Sequence, residues 1–140
     1  KVDRLEEEVS ADIWSDVRDA RWLANPADSA IWRLSLAPSK ASGIVAHIGR
    51  VLDTRHFYDW GGGLVWLAVN ASEDAGSKVI RDAMRGLGGH ATLLRATPEI
   101  RSKVDIFEPL PPSLAELTRR IKFAFDPDRI LNFGRMNSGI

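Results

Sequence analysis

The amino-acid sequence predicts an α+β fold: a four-stranded antiparallel sheet with helices mainly on one face. Short apolar segments typical of strands occur four times between Ile31 and Arg95. Segments with apolar residues at steps of three or four, typical of amphipathic helices, separate them. From Ile31 onward the order is strand, helix, strand, strand, helix, strand. This is the split βαβ arrangement of ferredoxin-like domains.

The composition is that of an ordinary folded domain. The 140 residues are 44% hydrophobic and 27% charged. Nineteen basic residues balance nineteen acidic ones, which gives no support for a nucleic-acid or membrane-surface partner. The absence of cysteine excludes disulfides and thiolate ligation of iron–sulfur clusters by this chain, and it fits a cytosolic protein. No run approaches the roughly 20 apolar residues that a membrane span needs.

The first half of the chain gives three elements before the hairpin. A helix is expected over residues 2–23, and Asn25-Pro26 ends its periodicity. A strand with alternating apolar residues follows at residues 31–36. Ser39 is expected to be the N-cap of the second helix.

Three glycines at residues 61–63 separate two apolar runs, residues 56–60 and 64–69, and therefore predict a hairpin. Asp59, just before the glycines, is expected to cap the turn or to pair with an arginine. A third helix is expected over residues 73–87.

The last third of the sequence begins with Gly88-Gly89 and a fourth strand at residues 90–95. A loose, proline-rich stretch follows, and then a final helix over residues 113–125. The basic run Arg119-Arg120-Lys122 is expected to be the cationic end of this helix, which is favourable against the helix dipole. Residues 126–140 form a tail without clear periodicity.

The strand at residues 64–69 is apolar on both faces, and a strand of this kind is normally covered on both sides. We infer that another domain, a second copy or the edge of a cofactor covers the face opposite the helices. Arg33 and Arg95 are expected to line the same face, with Trp60 beside them. The alternative is that the N-terminal or C-terminal helix shields the strand.

No catalytic constellation is recognisable in the sequence. His47, His56 and His90 do not have the spacing of metal ligands, so no metal site is predicted. The glycine runs match neither a dinucleotide-binding motif nor a phosphate-binding loop. We therefore assign no catalytic residue.

Four segments carry a resemblance to a known family. Residues 126–136, DPDRILNFGRM, resemble the DPxxxxNPGRM ending of flavin-linked oxidases of the vanillyl-alcohol oxidase type. Residues 32–36 (WRLSL), 59–67 (DWGGGLVWL) and 88–95 (GGHATLLR) resemble segments of the FAD-binding subunit of glycolate oxidase, in the same order. The family ending has proline where this chain has Phe133, so the backbone there is less constrained.

The resemblance implies a division of the chain. Residues 1–125 would be the ferredoxin-like cap domain of an FAD-linked oxidase subunit, lacking its first strand and helix. Residues 126–140 would be a tail that returns to an absent FAD-binding domain. FAD would be bound mainly by that absent N-terminal part, so this chain is not expected to be active by itself.

The resemblance also implies a reaction and partners. The intact subunit would oxidise glycolate, a small 2-hydroxy acid, to glyoxylate, together with a second flavoprotein subunit and an iron–sulfur subunit. We expect a cytoplasmic location, at the inner face of the membrane once the complex is assembled.

The site residues expected from this resemblance fall into two groups. Asn132 and Arg135 would contact the flavin. Arg33, Trp60 and Arg95 would bind substrate or line the open sheet face, because an arginine can hold a carboxylate by two parallel hydrogen bonds. For these three, interdomain salt bridges or packing are equally good explanations.

Two other classes of function remain open from the sequence. The chain could be a binding module that dimerises through its apolar sheet face or senses a small ligand there. It could also have a purely structural role, in which the flavin of the subunit only relays electrons or the cap only docks subunits.

Overall fold

The computed structural model describes residues 4–24, 29–70 and 72–137. Within these residues the chain forms five α-helices and four β-strands: α1 (Glu7–Arg18), β1 (Ala30–Ser35), α2 (Pro38–Ile48), β2 (Thr54–Asp59), β3 (Leu64–Val69), α3 (Ser77–Met84), β4 (His90–Arg95), α4 (Pro98–Arg101) and α5 (Pro112–Phe125). Two single 3-10 turns, Arg21–Leu23 and Trp60–Gly62, complete the set.

The four strands form one antiparallel sheet in the order β2-β3-β1-β4. Leu34, in the middle of β1, pairs with Val65 on one side and with Ala91 on the other. Strands β2 and β3 form the predicted hairpin, and β1 pairs with both β3 and β4, as the split βαβ arrangement requires. The predicted α+β class and four-stranded antiparallel sheet are therefore confirmed.

The main core lies between one face of the sheet and the helices α2 and α3. Trp32 of β1 is fully buried there, and its indole Nε1 donates a 2.8 Å hydrogen bond to the carbonyl of Ala75. A buried indole N–H without such a partner would be costly, so this bond fixes the ring in the core. Around it pack buried apolar residues from the sheet and from both helices: Leu34, Val45, Ile48, Val65, Leu67, Val69, Ile80, Met84 and Leu93.

The opposite face of the sheet is also partly apolar and partly covered. Leu23, from the turn after α1, packs with Ile31 and Ala68 in a second buried cluster. Phe57 and Trp66 extend this cluster with ring centroids 6.0 Å apart. The apolar second face inferred from the sequence is thus present. The turn after α1 covers this part of it. The alternative that the sequence left open was shielding by the N-terminal or C-terminal helix, but neither α1 nor α5 contributes a buried residue.

Arg81 of α3 joins the helix layer to the segment that follows α4. Its guanidinium donates hydrogen bonds to Glu108 at 2.8 Å and to the carbonyl of Phe107 at 3.0 Å. The same segment runs along β4, where the backbone N–H of Leu93 donates to the carbonyl of Ile106 at 2.8 Å. The stretch predicted to be loose is therefore fixed against the sheet by polar contacts.

Several predicted boundaries were wrong by a few residues. The first helix ends at Arg18, and Ala20 then has a left-handed backbone with φ 49. The predicted stop at residues 25–26 lies outside the described residues. The third helix begins at Ser77, because Gly76 before it has a left-handed backbone with a φ of 70. The backbone N–H of Gly76 donates to the Asp74 carboxylate at 2.9 Å.

Proline placement explains two further differences. Ala37, not the predicted Ser39, occupies the N-cap of α2, and Pro38 is the first helical residue. Proline suits this position because its missing N–H would have no partner in the helix. The short helix α4, which the sequence did not predict, begins at Pro98 in the same way.

Candidate functional site

Asp126 organises the segment that resembles the family ending. It follows the last residue of α5, and only 6% of it is exposed. Its carboxylate accepts the backbone N–H groups of Ile130 at 2.9 Å and Leu131 at 3.0 Å, and the Lys122 ammonium at 2.5 Å. The Lys122 hydrogen bond, supported by the two backbone donors, holds the pKa of the Asp126 carboxyl below its ordinary value. The tail therefore folds back on α5 around an ionised carboxylate.

The backbone of this turn contains two unusual residues. Arg129 has a φ of 54 and Asn132 a φ of 49, both in the left-handed region. This conformation costs an L-residue about 1–2 kcal/mol, less for asparagine than for arginine. Hydrogen bonds oppose that cost: Arg129 donates its N–H to the Asp126 carbonyl, and Arg135 donates its N–H to the Asn132 carbonyl, each at 3.1 Å.

The two residues expected to contact a flavin, Asn132 and Arg135, lie one turn apart in the tail. Both are exposed. The backbone hydrogen bond between them fixes their spacing, while Gly134, with a φ of 70, provides the turn. The structure thus brings these two residues together at the surface.

Arg33 lies in β1 on the face of the sheet opposite the helices. Its neighbours across the sheet are Trp66 in β3 and Thr92 in β4, and it is half-buried. It occupies the part of this face beyond the cluster of Leu23 and Ile31.

Arg95 lies at the end of β4, where it holds the N-terminal segment against the sheet. Its guanidinium donates to the carbonyls of Leu23 at 3.2 Å, Ala24 at 3.3 Å and Ser29 at 3.4 Å. These contacts give Arg95 a packing role.

Trp60 was placed in a strand by the prediction and is found in a turn. The strand β2 ends at Asp59, whose carboxylate accepts the Trp60 N–H at 2.7 Å. Trp60 itself has a φ of 51 and is 70% exposed. It therefore lies at the end of the sheet, not on its face. The turn-capping role expected for Asp59 is confirmed.

The structure adds a feature that the sequence did not predict. A cleft of about 320 Å³ lies between α5 and the folded tail. The helical spacing of Glu116, Arg120 and Phe123 is the signal that could have indicated one shared face. The basic run, interpreted from the sequence as a helix end, also contributes Arg119, Arg120 and Lys122 to this cleft. The residues that line the cleft are Glu116, Arg119, Arg120, Lys122, Phe123, Asp126, Arg129 and Phe133.

Two kinds of site are not found in the part of the chain that the structure describes. It contains no group of three or more His, Cys, Asp or Glu side chains that could hold a metal ion. Nor does any of its helices have the length and apolar character needed to cross a bilayer.

Comparison with known proteins gives one informative relative. No protein-family model and no solved structure matches the chain. The chain is 31% identical over 130 residues to the glycolate oxidase subunit GlcE of Escherichia coli (strain K12). The alignment covers 93% of this chain but only 32% of the relative, so the chain spans about a third of that protein's length. The resemblance predicted from its motifs is thereby confirmed: over nearly all its length the chain is similar to the C-terminal part of the FAD-binding subunit of glycolate oxidase.

Proposed function

We propose that this chain is the C-terminal cap portion of the FAD-binding subunit of a glycolate-oxidising flavoenzyme. Residues 1–125 would form a ferredoxin-like cap domain and residues 126–140 the segment that returns to the FAD-binding domain. The observation that carries the proposal is the 31% identity to a glycolate oxidase subunit across 93% of the chain. The strand order β2-β3-β1-β4, with the two connecting helices α2 and α3 on one face, supports a ferredoxin-like fold.

The side chains of Asn132 and Arg135 are suited to contact one edge of FAD. Asn132 offers a side-chain amide and Arg135 a guanidinium, and such donors suit the carbonyl and phosphate oxygens of this cofactor. The cleft beside the tail, at 320 Å³, is at the low end of the 300–1,000 Å³ typical of small-ligand pockets and is too small to enclose FAD. The cofactor, when bound, supplies the redox chemistry that converts glycolate to glyoxylate.

The surface of α5 supports docking against further protein. Leu117, Ile121 and Phe125 follow one another along one side of the helix, and each is at least half exposed. An amphipathic helix normally buries such a stripe, and an exposed contiguous one marks an interaction surface. Ile130 and Leu131 of the tail add more exposed apolar area. We propose that the FAD-binding domain covers this stripe and the tail.

The partners and the location follow from the same resemblance. The intact subunit would work with a second flavoprotein subunit and an iron–sulfur subunit, and would act on a small 2-hydroxy acid. It would be cytoplasmic and would reach the inner face of the membrane through the complex. The 140-residue chain alone would not oxidise glycolate.

Dimerisation through the sheet is less well supported as an alternative. It requires an uncovered apolar face, whereas Leu23 packs on Ile31 and Ala68. The ring of Trp22 lies 5.2 Å from Phe57, edge to face. The part of this face most suited to a second copy is therefore already in contact with the N-terminal segment.

Flavin binding is the direct test. FAD binding would be measured by absorbance and titration for this chain and for the protein encoded by the complete reading frame. We expect only the longer protein to bind FAD. Arg135→Ala and Asn132→Gly in that protein should each weaken binding, and the glycine variant keeps the left-handed backbone while removing the amide.

The matched control is Arg50→Ala, an exposed arginine in the turn after α2 that should leave flavin affinity unchanged. If the longer protein binds no flavin, or if this chain alone forms a tight dimer through its sheet, the proposal is wrong.

A further inference from the structure

The cleft between α5 and the tail has the dimensions of a site for a small molecule. Its volume of about 320 Å³ falls within the range of small-ligand pockets. Its lining does not include Asn132 and Arg135, the two residues proposed above to contact the flavin.

The charges around the cleft favour an anion. Its lining contains four cationic side chains and two carboxylates. Each carboxylate already has a partner: Glu116 accepts from Arg119, and Asp126 accepts from Lys122 at 2.5 Å. Among the described residues, no carboxylate pairs with the other two cations, Arg120 and Arg129.

Two aromatic rings line the cleft together with these guanidinium groups. The guanidinium of Arg129 is 5.7 Å from the ring centroid of Phe133. A guanidinium stacked in this way keeps its edge N–H groups available for a carboxylate or phosphate. Phe123 lines the same cleft and is 62% exposed, so its ring is accessible for stacking against a flat apolar group.

The backbone at Arg129 is fixed in an unfavourable conformation. Its φ of 54 is held by its own N–H bond to the Asp126 carbonyl and by the bond from Ile130 to the Asp126 carboxylate at 2.9 Å. Backbone strain of this kind is concentrated at ligand clamps and active sites. Here it keeps the Arg129 side chain at the cleft.

From these observations we propose that the cleft binds a small organic anion with a flat apolar body, of the class of aromatic carboxylates. Arg120 and Arg129 hold the anionic group by charge-assisted hydrogen bonds. The rings of Phe123 and Phe133 contact the apolar body. The ligand therefore needs both parts, since neither charge nor ring alone engages the whole lining.

The test is an NMR titration of the isotopically labelled 140-residue chain with benzoate. We expect saturable shifts of backbone amides within residues 116–133. Benzamide has the same shape without the charge, and inorganic phosphate has the charge without the ring. Both are expected to bind much more weakly than benzoate.

Two variants test the arginines directly. Arg120→Gln and Arg129→Asn should each weaken benzoate binding about tenfold or more, because each loses a charge-assisted hydrogen bond. Asparagine tolerates the left-handed backbone, so Arg129→Asn keeps the turn and removes only the guanidinium. Unchanged amide shifts outside the tail show that the variant is folded. Arg50→Ala, outside the cleft, should bind benzoate as the parent does.

Three results would overturn the proposal. The first is the absence of saturable shifts within residues 116–133. The second is benzamide or phosphate binding as tightly as benzoate, which would show that charge and ring do not act together. The third is full benzoate affinity in the folded Arg129→Asn variant.

Discussion

Arg81 donates a 2.8 Å hydrogen bond to Glu108 while its guanidinium lies 5.3 Å from the centroid of the Trp32 ring. One side chain thereby connects the helix layer, the central strand and the segment after α4. Only 14% of the Arg81 side chain is exposed, so water does not replace these contacts easily. The stability of the domain should depend on this residue more than on any exposed ion pair.

Arg81→Ala is expected to lower the free energy of unfolding by about 3 kcal/mol. It removes the cationic partner of Glu108 and the donor to three backbone carbonyls, those of Ala91, Asp105 and Phe107. Urea denaturation gives this value. The matched control is Arg85→Ala, at the residue that follows the same helix, whose side chain is 80% exposed and pairs with exposed Asp82. Exposed pairs contribute little, so the control should change stability by less than about 1 kcal/mol. Equal effects of the two variants would contradict the role assigned to Arg81.

Trp32→Phe tests the buried hydrogen bond to Ala75. Phenylalanine keeps an aromatic ring in the core, but the Ala75 carbonyl loses the donor that lies 2.8 Å away. An unsatisfied buried acceptor costs about 1–3 kcal/mol, and the smaller ring adds a cavity. Thermal unfolding should show a lower Tm than for the parent. Trp14→Phe, at a position 67% exposed, is the control and should leave Tm nearly unchanged.

Two glycine substitutions should change the stability of the domain in opposite directions. A Cβ on Gly89 would collide with the backbone carbonyl of Ser35, which cannot move without disturbing β1, so Gly89→Ala should destabilise the domain. A Cβ on Gly43, within α2, meets nothing within 4 Å. Gly43→Ala should therefore stabilise by about 0.4–1 kcal/mol through the lower entropy of the unfolded chain. Stability curves in urea distinguish the two, and a stabilising Gly89→Ala would disprove the close approach.

The fold of the tail should depend on pH through Asp126. Its pKa is lowered in the folded state from an ordinary value of 3.8, chiefly by the Lys122 hydrogen bond. A carboxyl whose pKa is lowered by folding stabilises the folded state at pH values above its pKa in the unfolded chain. This stability is lost as the pH falls through its pKa in the folded chain. Hydrogen exchange of the Ile130 and Leu131 amides should thus show constant protection from neutral pH down to the region of 3.8, and a loss of protection below it. Asp126→Asn should weaken protection at neutral pH, where the carboxylate is ionised, and unchanged protection there would show that the carboxylate does not hold the turn.

The sequence predicted the parts of the fold that depend on local periodicity. The four strands and the hairpin were recognisable because alternation, apolar runs and glycine turns are properties of neighbouring residues. The exact helix starts were not, since they depend on backbone angles such as the left-handed Gly76 and on which residue next to Pro38 serves as the cap. Trp60 was assigned to a strand because it ends the apolar run before the three glycines, and nothing local showed its positive φ.

The candidate site divides in the same way. The motif residues Asn132 and Arg135 were recognisable by their resemblance to a family ending, but the role of Asp126 as the centre of the turn was not. That role requires knowing that the chain folds back so that Ile130 and Leu131 reach the carboxylate. The cleft could not be predicted for the same reason, because it exists only once Phe133 lies opposite α5.

The contacts along β4 also determine how this sheet can meet other chains. The outward N–H groups of Ala91 and Leu93 are already used, by the Glu108 carboxylate at 3.2 Å and the Ile106 carbonyl at 2.8 Å. An incoming strand therefore finds no free ladder of donors at this edge. Among the strands that the structure describes, β2 is the remaining edge, and it carries the basic residue Arg55. The sheet is thus protected on one side by its own chain and on the other by charge, which disfavours edge-to-edge aggregation.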